Sequence, residues 1–214
     1  MKILNFKPFN PMKTKDILSI LFMVGVATTG WAQDFDKNIA TARSSYSSGN
    51  LGDARFAMEQ LLGDLDAAIG KEILKMLPSQ IGSLKSNDKE DKVTGSTAGY
   101  TAGLYVQRTY GITPKVAALE IINNSPLMNS LGAILNNPIM GGMMRDENQK
   151  TVKVQGYKSL LTKHLDNDTG KTSYDIQIPM NNTLVTLKVD DTNEAEITGF
   201  ANAIPLAKIA QLAQ

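Results

Sequence analysis

The feature that most constrains the fold is the C-terminal third of the chain, residues 151–214, where the spacing of apolar residues changes. Apolar and polar side chains alternate on both sides of Asn181-Asn182, a pair that suits a tight turn between two strands. The following apolar residues recur at i, i+3, i+4 and i+7, which is one face of a helix. These positions are Tyr174, Ile176, Ile178 and Met180, then Val185, Leu187 and Val189, and finally Ile197, Phe200, Ala201 and Ile204. The segment predicts a β-hairpin covered by a helix, with a capping box formed by Asn193 and Glu196.

The N-terminal segment 1–32 has the organisation of a secretory signal peptide. Lys13 and Lys15 precede an apolar run from Ile17 to about Thr28, and Gly30-Trp31-Ala32 supplies small residues at positions −3 and −1. A membrane-spanning helix needs roughly 20 apolar residues, so this run is too short for a span. Cleavage after Ala32 predicts an exported protein, periplasmic or extracellular.

Composition excludes several functional classes. The segment 1–32 contains four lysines and one aspartate, so the segment 33–214 carries 18 basic and 20 acidic side chains. A net charge of −2 gives no electrostatic reason to bind nucleic acid or an anionic membrane surface. The absence of cysteine from the sequence excludes disulfides, thiol catalysis, cysteine metal sites and a lipid-anchored cysteine. The core therefore has to stabilise the fold by ordinary apolar packing.

A helical pattern runs from Asp36 to about Pro78. A break at Gly49-Asn50 divides it, and Pro78 ends it, so it predicts a helical hairpin. Residues 46–54 resemble the turn between the helices of a tetratricopeptide repeat, and the resemblance extends over 36–65. It implies a surface that grips a peptide or a partner protein. An ordinary αα-hairpin packed on the domain explains the same residues, because no second copy of the repeat follows.

The middle of the chain alternates between strand and helix patterns. The expected order is a strand at Gln80–Leu84, a solvated loop at Ser86–Gly95, strands at Tyr100–Tyr110 and Lys115–Ile122, and a helix from Leu127 to Leu135. Runs of strands punctuated by single helices favour an antiparallel sheet over a parallel βαβ fold. The arrangement is similar to small exported domains of the PsbP-like group, a likeness of architecture that implies no function.

These patterns together predict an α+β protein. An N-terminal α-hairpin is followed by a mainly antiparallel β-sheet covered by helices. The expected divisions are a signal peptide at 1–32, the helical hairpin at 33–78 and the α+β sheet domain at 79–214.

His164 is the only histidine, so a serine–histidine–aspartate mechanism has to use it. It precedes the turn residues Asp166-Asn167-Asp168-Thr169-Gly170, and the sequence has no GxSxG motif. The alternative is a histidine at the end of a strand without a catalytic role. The turn residues also resemble the first half of a calcium loop, but Gly170 stands where an oxygen ligand belongs. An Asp-Gly turn explains them by backbone requirements alone, so no metal site is expected.

The segment 138–144 is rich in methionine. Met140, Met143 and Met144 are candidate contacts for an apolar ligand or a partner, because methionine side chains adapt to irregular apolar surfaces. Clustered thioethers also bind Cu(I), and plain packing is the third interpretation. No cofactor is predicted.

Gly95, Gly99 and Gly103 recur every four residues without the lysine and serine or threonine of a phosphate-binding loop. Their predicted role is a flat strip that a helix approaches closely.

Three functional classes follow from these observations. The favoured one is an exported, non-enzymatic module that binds a protein partner through the helical hairpin, or an apolar small ligand through the methionine-rich segment. The alternatives are a hydrolase-like enzyme that uses His164, and a structural envelope protein that assembles through a sheet edge.

Overall fold

The computed structural model describes residues 30–95, 103–136 and 148–213. The helices in this part of the chain are α1 (Gly30–Ser47), α2 (Leu51–Met76), α3 (Leu127–Asn136), α4 (Glu194–Ala203) and α5 (Leu206–Leu212). The strands are β1 (Gln80–Ile81), β2 (Leu84–Lys85), β3 (Lys92–Thr94), β4 (Tyr105–Ile112), β5 (Lys115–Asn123), β6 (Gln149–Val154), β7 (Tyr157–Leu165), β8 (Thr172–Met180) and β9 (Thr183–Val189). The architecture is α+β, as the sequence predicts.

Seven of these strands form one antiparallel sheet in the order β3-β4-β5-β9-β8-β7-β6. One face of the sheet packs against α2, α4 and α5, and the main apolar core lies between them. The opposite face is partly covered by α3, whose Leu131 and Leu135 pack on Leu160 and Leu184. The rest of that second face is lined by polar side chains, and it is called the open face below.

The C-terminal β-hairpin and its covering helix are confirmed. β8 and β9 are joined by a turn in which Asn181 has a φ of +52°. The Asn193 side chain accepts a hydrogen bond of 3.0 Å from the Glu196 backbone N–H, which caps α4. The Glu196 carboxylate does not complete the capping box, because it accepts hydrogen bonds from Lys115 Nζ at 2.5 Å and from the Thr192 hydroxyl at 2.8 Å. Only the half of the capping box that Asn193 provides is therefore present.

The N-terminal helical hairpin is also confirmed. Asn50 caps α2 by accepting a hydrogen bond from the Asp53 backbone N–H, and the helix ends at Met76, just before Pro78. The C-terminal part of α2 packs on the sheet through Ile73. Gly70 permits this close approach, because a Cβ at this position would lie 2.5 Å from a Val93 methyl group.

Three local predictions between residues 80 and 110 are corrected. The expected strand Gln80–Leu84 is a short hairpin of β1 and β2, turned at Gly82 with a φ of +53°. The expected loop Ser86–Gly95 contains a 3-10 turn and the edge strand β3, whose single apolar residue, Val93, gives no alternation. The strand expected at Tyr100–Tyr110 begins at Tyr105 within the described residues, which do not include Tyr100. The structure also contains β6, β7 and α5, for which the sequence pattern predicted no bounds.

A buried ion pair joins Arg108 of β4 to Asp91, the residue just before β3. The Arg108 side chain is 8% exposed and donates to both carboxylate oxygens of Asp91, from Nε at 2.9 Å and from Nη2 at 2.5 Å. Arg108 Nη1 also donates to the Leu74 carbonyl at 3.1 Å, which places a cation at the C-terminus of α2. The hydrogen bonds and charge of Asp91 hold the pKa of Arg108 above its ordinary value, so the arginine stays charged.

Tyr110 lies near this pair and is fully buried. Its hydroxyl has no hydrogen-bond partner among the described residues. Burial disfavours the phenolate and raises the pKa of Tyr110 to about 12, although the nearby Arg108 charge offsets part of the rise.

We expect Tyr110→Phe to raise the free energy of unfolding by about 1 kcal/mol at neutral pH, because it removes an unsatisfied buried hydroxyl. In the wild type, the unfolded chain loses the Tyr110 proton near pH 10, whereas the folded chain keeps it until about pH 12. Stability should therefore fall as pH rises through this window, by about 2–3 kcal/mol from this group. Urea denaturation of both proteins from pH 8 to 12 measures the difference. A phenylalanine variant that is less stable at neutral pH would show that the hydroxyl has a partner.

Candidate functional site

The open face carries a groove between β5, β9, β8 and β7 with a cavity volume of about 470 Å³. Because successive side chains of a strand point to opposite faces, the residues that line the groove are the alternates of those in the core. They are Ala118, Glu120, His164, Ser173, Asp175, Gln177, Thr186 and Lys188. Seven of these eight side chains are polar, which distinguishes the groove from the apolar face that packs against α2, α4 and α5.

His164 lies near the end of β7 and is one wall of the groove. Its Nε2 contacts Asp175 Oδ1, while Ser173 is its direct partner across the strand pair. The imidazole side chain is 50% exposed, whereas the Asp175 carboxylate is only 16% exposed. The carboxylate fixes the orientation of the ring, which leaves the histidine accessible to a molecule in the groove.

Serine, histidine and aspartate thus meet on one face, as a hydrolase would require, but two parts of the mechanism are missing. No hydrogen bond joins the Ser173 hydroxyl to His164 in the described part of the chain. The strand that carries Ser173 and Asp175, β8, is hydrogen-bonded on both sides, to β7 and β9. Its backbone N–H groups are therefore committed to the sheet and cannot stabilise an oxyanion.

Glu120 and Lys188 are the other charged groups of the groove. Neither forms a salt bridge within 4.0 Å among the residues that the structure describes. The Tyr105 hydroxyl donates a weak hydrogen bond of 3.4 Å to the Glu120 carboxylate. Burial and the Glu120 charge together raise the pKa of Tyr105, so its hydroxyl remains a donor at neutral pH.

A second surface stands out on the helical hairpin. Of twelve exposed large apolar residues in the described chain, eight lie on α1 and the N-terminal part of α2, residues 51–65. They are Phe35, Ile39, Tyr46, Leu51, Phe56, Met58, Leu62 and Leu65, and together they are called the hairpin surface. The contact between the two helices buries small side chains instead, namely Ala42, Ala54 and Ala57.

The remaining sequence-predicted sites are placed as follows. Met140, Met143, Met144 and Gly99 lie outside the described residues. Asp166 accepts hydrogen bonds from the Thr169 hydroxyl and from the Asp168 and Thr169 backbone N–H groups. These bonds lower the pKa of Asp166 and commit its carboxylate to the turn, as the turn interpretation predicts. In the described ranges, no group of three or more histidine, aspartate or glutamate side chains is arranged to hold a metal ion.

Gly95 makes the close helix approach that was predicted for the glycine strip. A Cβ at Gly95 would lie 2.0 Å from the Gly63 carbonyl oxygen of α2. Gly95 and Gly103 do not share one strand, however, since Gly95 follows β3 and Gly103 precedes β4. The structure therefore shows the predicted close packing at Gly95.

Sequence reasoning missed Glu120, Asp175 and Lys188 as groove residues. Their signal was present, because each is a polar residue at an alternating position of a predicted strand. The pattern does not give the strand order, and it is this order that places β5, β9 and β8 side by side.

Comparisons with models of known protein families, with curated proteins and with solved structures found no match. The resemblances to a tetratricopeptide hairpin and to PsbP-like domains therefore remain predictions. Within the described ranges, no helix combines the length and the apolar character needed to cross a membrane.

Proposed function

We propose that this protein is an exported, non-enzymatic module that binds a protein partner through the hairpin surface. The observation that carries the proposal is the concentration of exposed apolar side chains on α1 and the N-terminal part of α2. Single exposed apolar residues are normal, whereas a group of them on one element marks an interaction site. The resemblance to a tetratricopeptide hairpin supports the same role.

The spacing and charge of the hairpin indicate which partner it fits. Leu51, Met58, Leu62 and Leu65 stand at i, i+7, i+11 and i+14, so they form one narrow apolar band along α2. Such a band suits the apolar face of another helix. Residues 34–66 carry six acidic and three basic side chains, a net charge of −3. The matching partner is an amphipathic helix with basic edges.

Leu62→Asp combined with Leu65→Asp is expected to weaken binding of such a helix at least about tenfold, because each aspartate places a charge in the apolar band. The probe is a fluorescently labelled amphipathic peptide of leucine and lysine, and its binding is followed by fluorescence anisotropy. A leucine–glutamate peptide with the same pattern tests the charge preference. A scrambled leucine–lysine peptide tests the need for an apolar face.

Leu165→Asp is the matched control, since Leu165 is similarly exposed but lies at the end of β7. The proposal predicts that this control binds like the wild type. Equal binding by the double variant, or equal binding of the acidic peptide, would contradict it. Self-association abolished by the double variant, measured by light scattering, would instead assign the hairpin surface to a second copy of the chain.

Export is tested by the mass of the protein recovered outside the cytoplasm. The expected mature chain begins at Gln33, because cleavage after Ala32 removes the segment 1–32. Recovery of the uncleaved 214-residue chain from the cytoplasm would contradict this part of the proposal.

The second candidate is a hydrolase, favoured by the meeting of Ser173, His164 and Asp175 in the groove. A fluorophosphonate probe, which labels activated serines, distinguishes it from the binding module. The favoured proposal predicts no labelling of Ser173. Labelling that His164→Ala abolishes would establish the hydrolase.

A further inference from the structure

The open-face groove carries two opposite charges, those of Glu120 and Lys188, and among the described residues only Glu120 has a hydrogen-bond partner, the Tyr105 hydroxyl at 3.4 Å. Asp175 contacts His164, but Glu120 and Lys188 have no ion-pair partner within 4.0 Å among the described residues. Glu120 and Gln177 are half-buried in the groove, whereas Lys188 is exposed, so burial reduces the water only around the Glu120 carboxylate. A ligand that brings a matching cation and anion would gain two charge-assisted hydrogen bonds at this place.

The strand register puts the two charges at neighbouring positions. Glu120 pairs with Thr186, and Lys188 is the next residue along the same face of β9, where its direct partner on β8 is Asp175. Diagonal neighbours of this kind have backbones about 7–8 Å apart, within reach of both side chains. Their charged heads are more than 4.0 Å apart, and both residues line the cavity of about 470 Å³, which has room for a small molecule.

The other groove residues restrict the chemical class of that molecule. A simple anion would be repelled by the two carboxylates of Glu120 and Asp175, while a simple cation would leave Lys188 without an ion-pair partner. A molecule with both charges satisfies Glu120 and Lys188 together. Gln177 and Thr186 supply donors and acceptors for amide groups, and the small side chain of Ala118 leaves room on the groove floor.

We therefore propose that the open-face groove binds a small zwitterion of the amino-acid type, either a free amino acid or a short peptide. Its ammonium group pairs with the Glu120 carboxylate, and its carboxylate pairs with the Lys188 ammonium. His164 and Asp175 form the wall beside them. This site is separate from the hairpin surface, so the proposal can be tested independently of partner binding.

Isothermal titration calorimetry of the intact protein tests the assignment with four probes: glycine, glycylglycine, succinate and putrescine. We expect a zwitterion to bind more tightly than succinate or putrescine. Glycine and glycylglycine distinguish a free amino acid from a peptide. Lys188→Met and Glu120→Gln should each lower the affinity for the preferred zwitterion at least about tenfold, because each removes one charge-assisted hydrogen bond.

Lys163→Met is the matched control, since Lys163 is exposed on β7 and lies outside the groove. It should bind the zwitterion like the wild type. The absence of binding by either zwitterion, binding of succinate as tight as that of the zwitterion, or the same loss in Lys163→Met would overturn the proposal. The peptide-binding experiment on the hairpin surface is unaffected by any of these results.

Discussion

Asp91→Ala is expected to lower the free energy of unfolding by about 3–5 kcal/mol, because it leaves the Arg108 guanidinium buried without its counter-charge. The side chains of Arg108 and Asp91 are only 8% and 13% exposed, so water cannot replace the lost carboxylate without rearrangement of β4. The two hydrogen bonds at 2.9 and 2.5 Å are lost together. Urea denaturation at neutral pH, followed by circular dichroism, measures the change.

Asp88→Ala is the control for this prediction. The Asp88 carboxylate is 3.6 Å from Arg108 Nη2 but its side chain is 69% exposed, so its loss should cost less than about 1 kcal/mol. The double variant Asp91→Leu with Arg108→Met should recover most of the lost stability, since apolar residues can replace a buried pair. Equal effects of Asp91→Ala and Asp88→Ala would show that the Arg108 pair is not buried in solution.

The elements with strong periodicity could be predicted from the sequence. β8, β9 and α4 follow from alternation and from the i, i+3, i+4, i+7 spacing, because each buries one full face against the same core. The edge strand β3 could not be predicted, since Lys-Val-Thr has one apolar residue and is a strand only because β4 pairs with it. β1 and β2 are very short strands that could not be predicted either. Their turn at Gly82 packs against the Phe200 ring of α4, a contact that local sequence does not reveal.

The candidate sites were less predictable than the fold. His164 was identified because it is the only histidine, but its partners Ser173 and Asp175 depend on the β7–β8 register. Glu120 approaches Lys188 only because β9 is inserted beside β5, although the two residues are distant from each other in the chain. The exposed apolar face of α2 could not be predicted either, because helical spacing does not tell which apolar face a neighbouring element covers.

Phe200→Ala is expected to lower the free energy of unfolding by about 3–5 kcal/mol, because it opens a cavity between α4 and the sheet. Phe200 is 6% exposed and packs within the main core, and its ring lies against Gly82, where even a single added Cβ would be 2.2 Å from it. The main core therefore cannot fill the space without moving the β1–β2 hairpin. Phe56→Ala removes the same atoms from a ring that is 57% exposed on α2, so it should cost less than about 1 kcal/mol. Urea denaturation of both variants gives the comparison. If Phe200→Ala lowers the free energy of unfolding no more than Phe56→Ala does, the packing of α4 on the sheet does not contribute to stability as described.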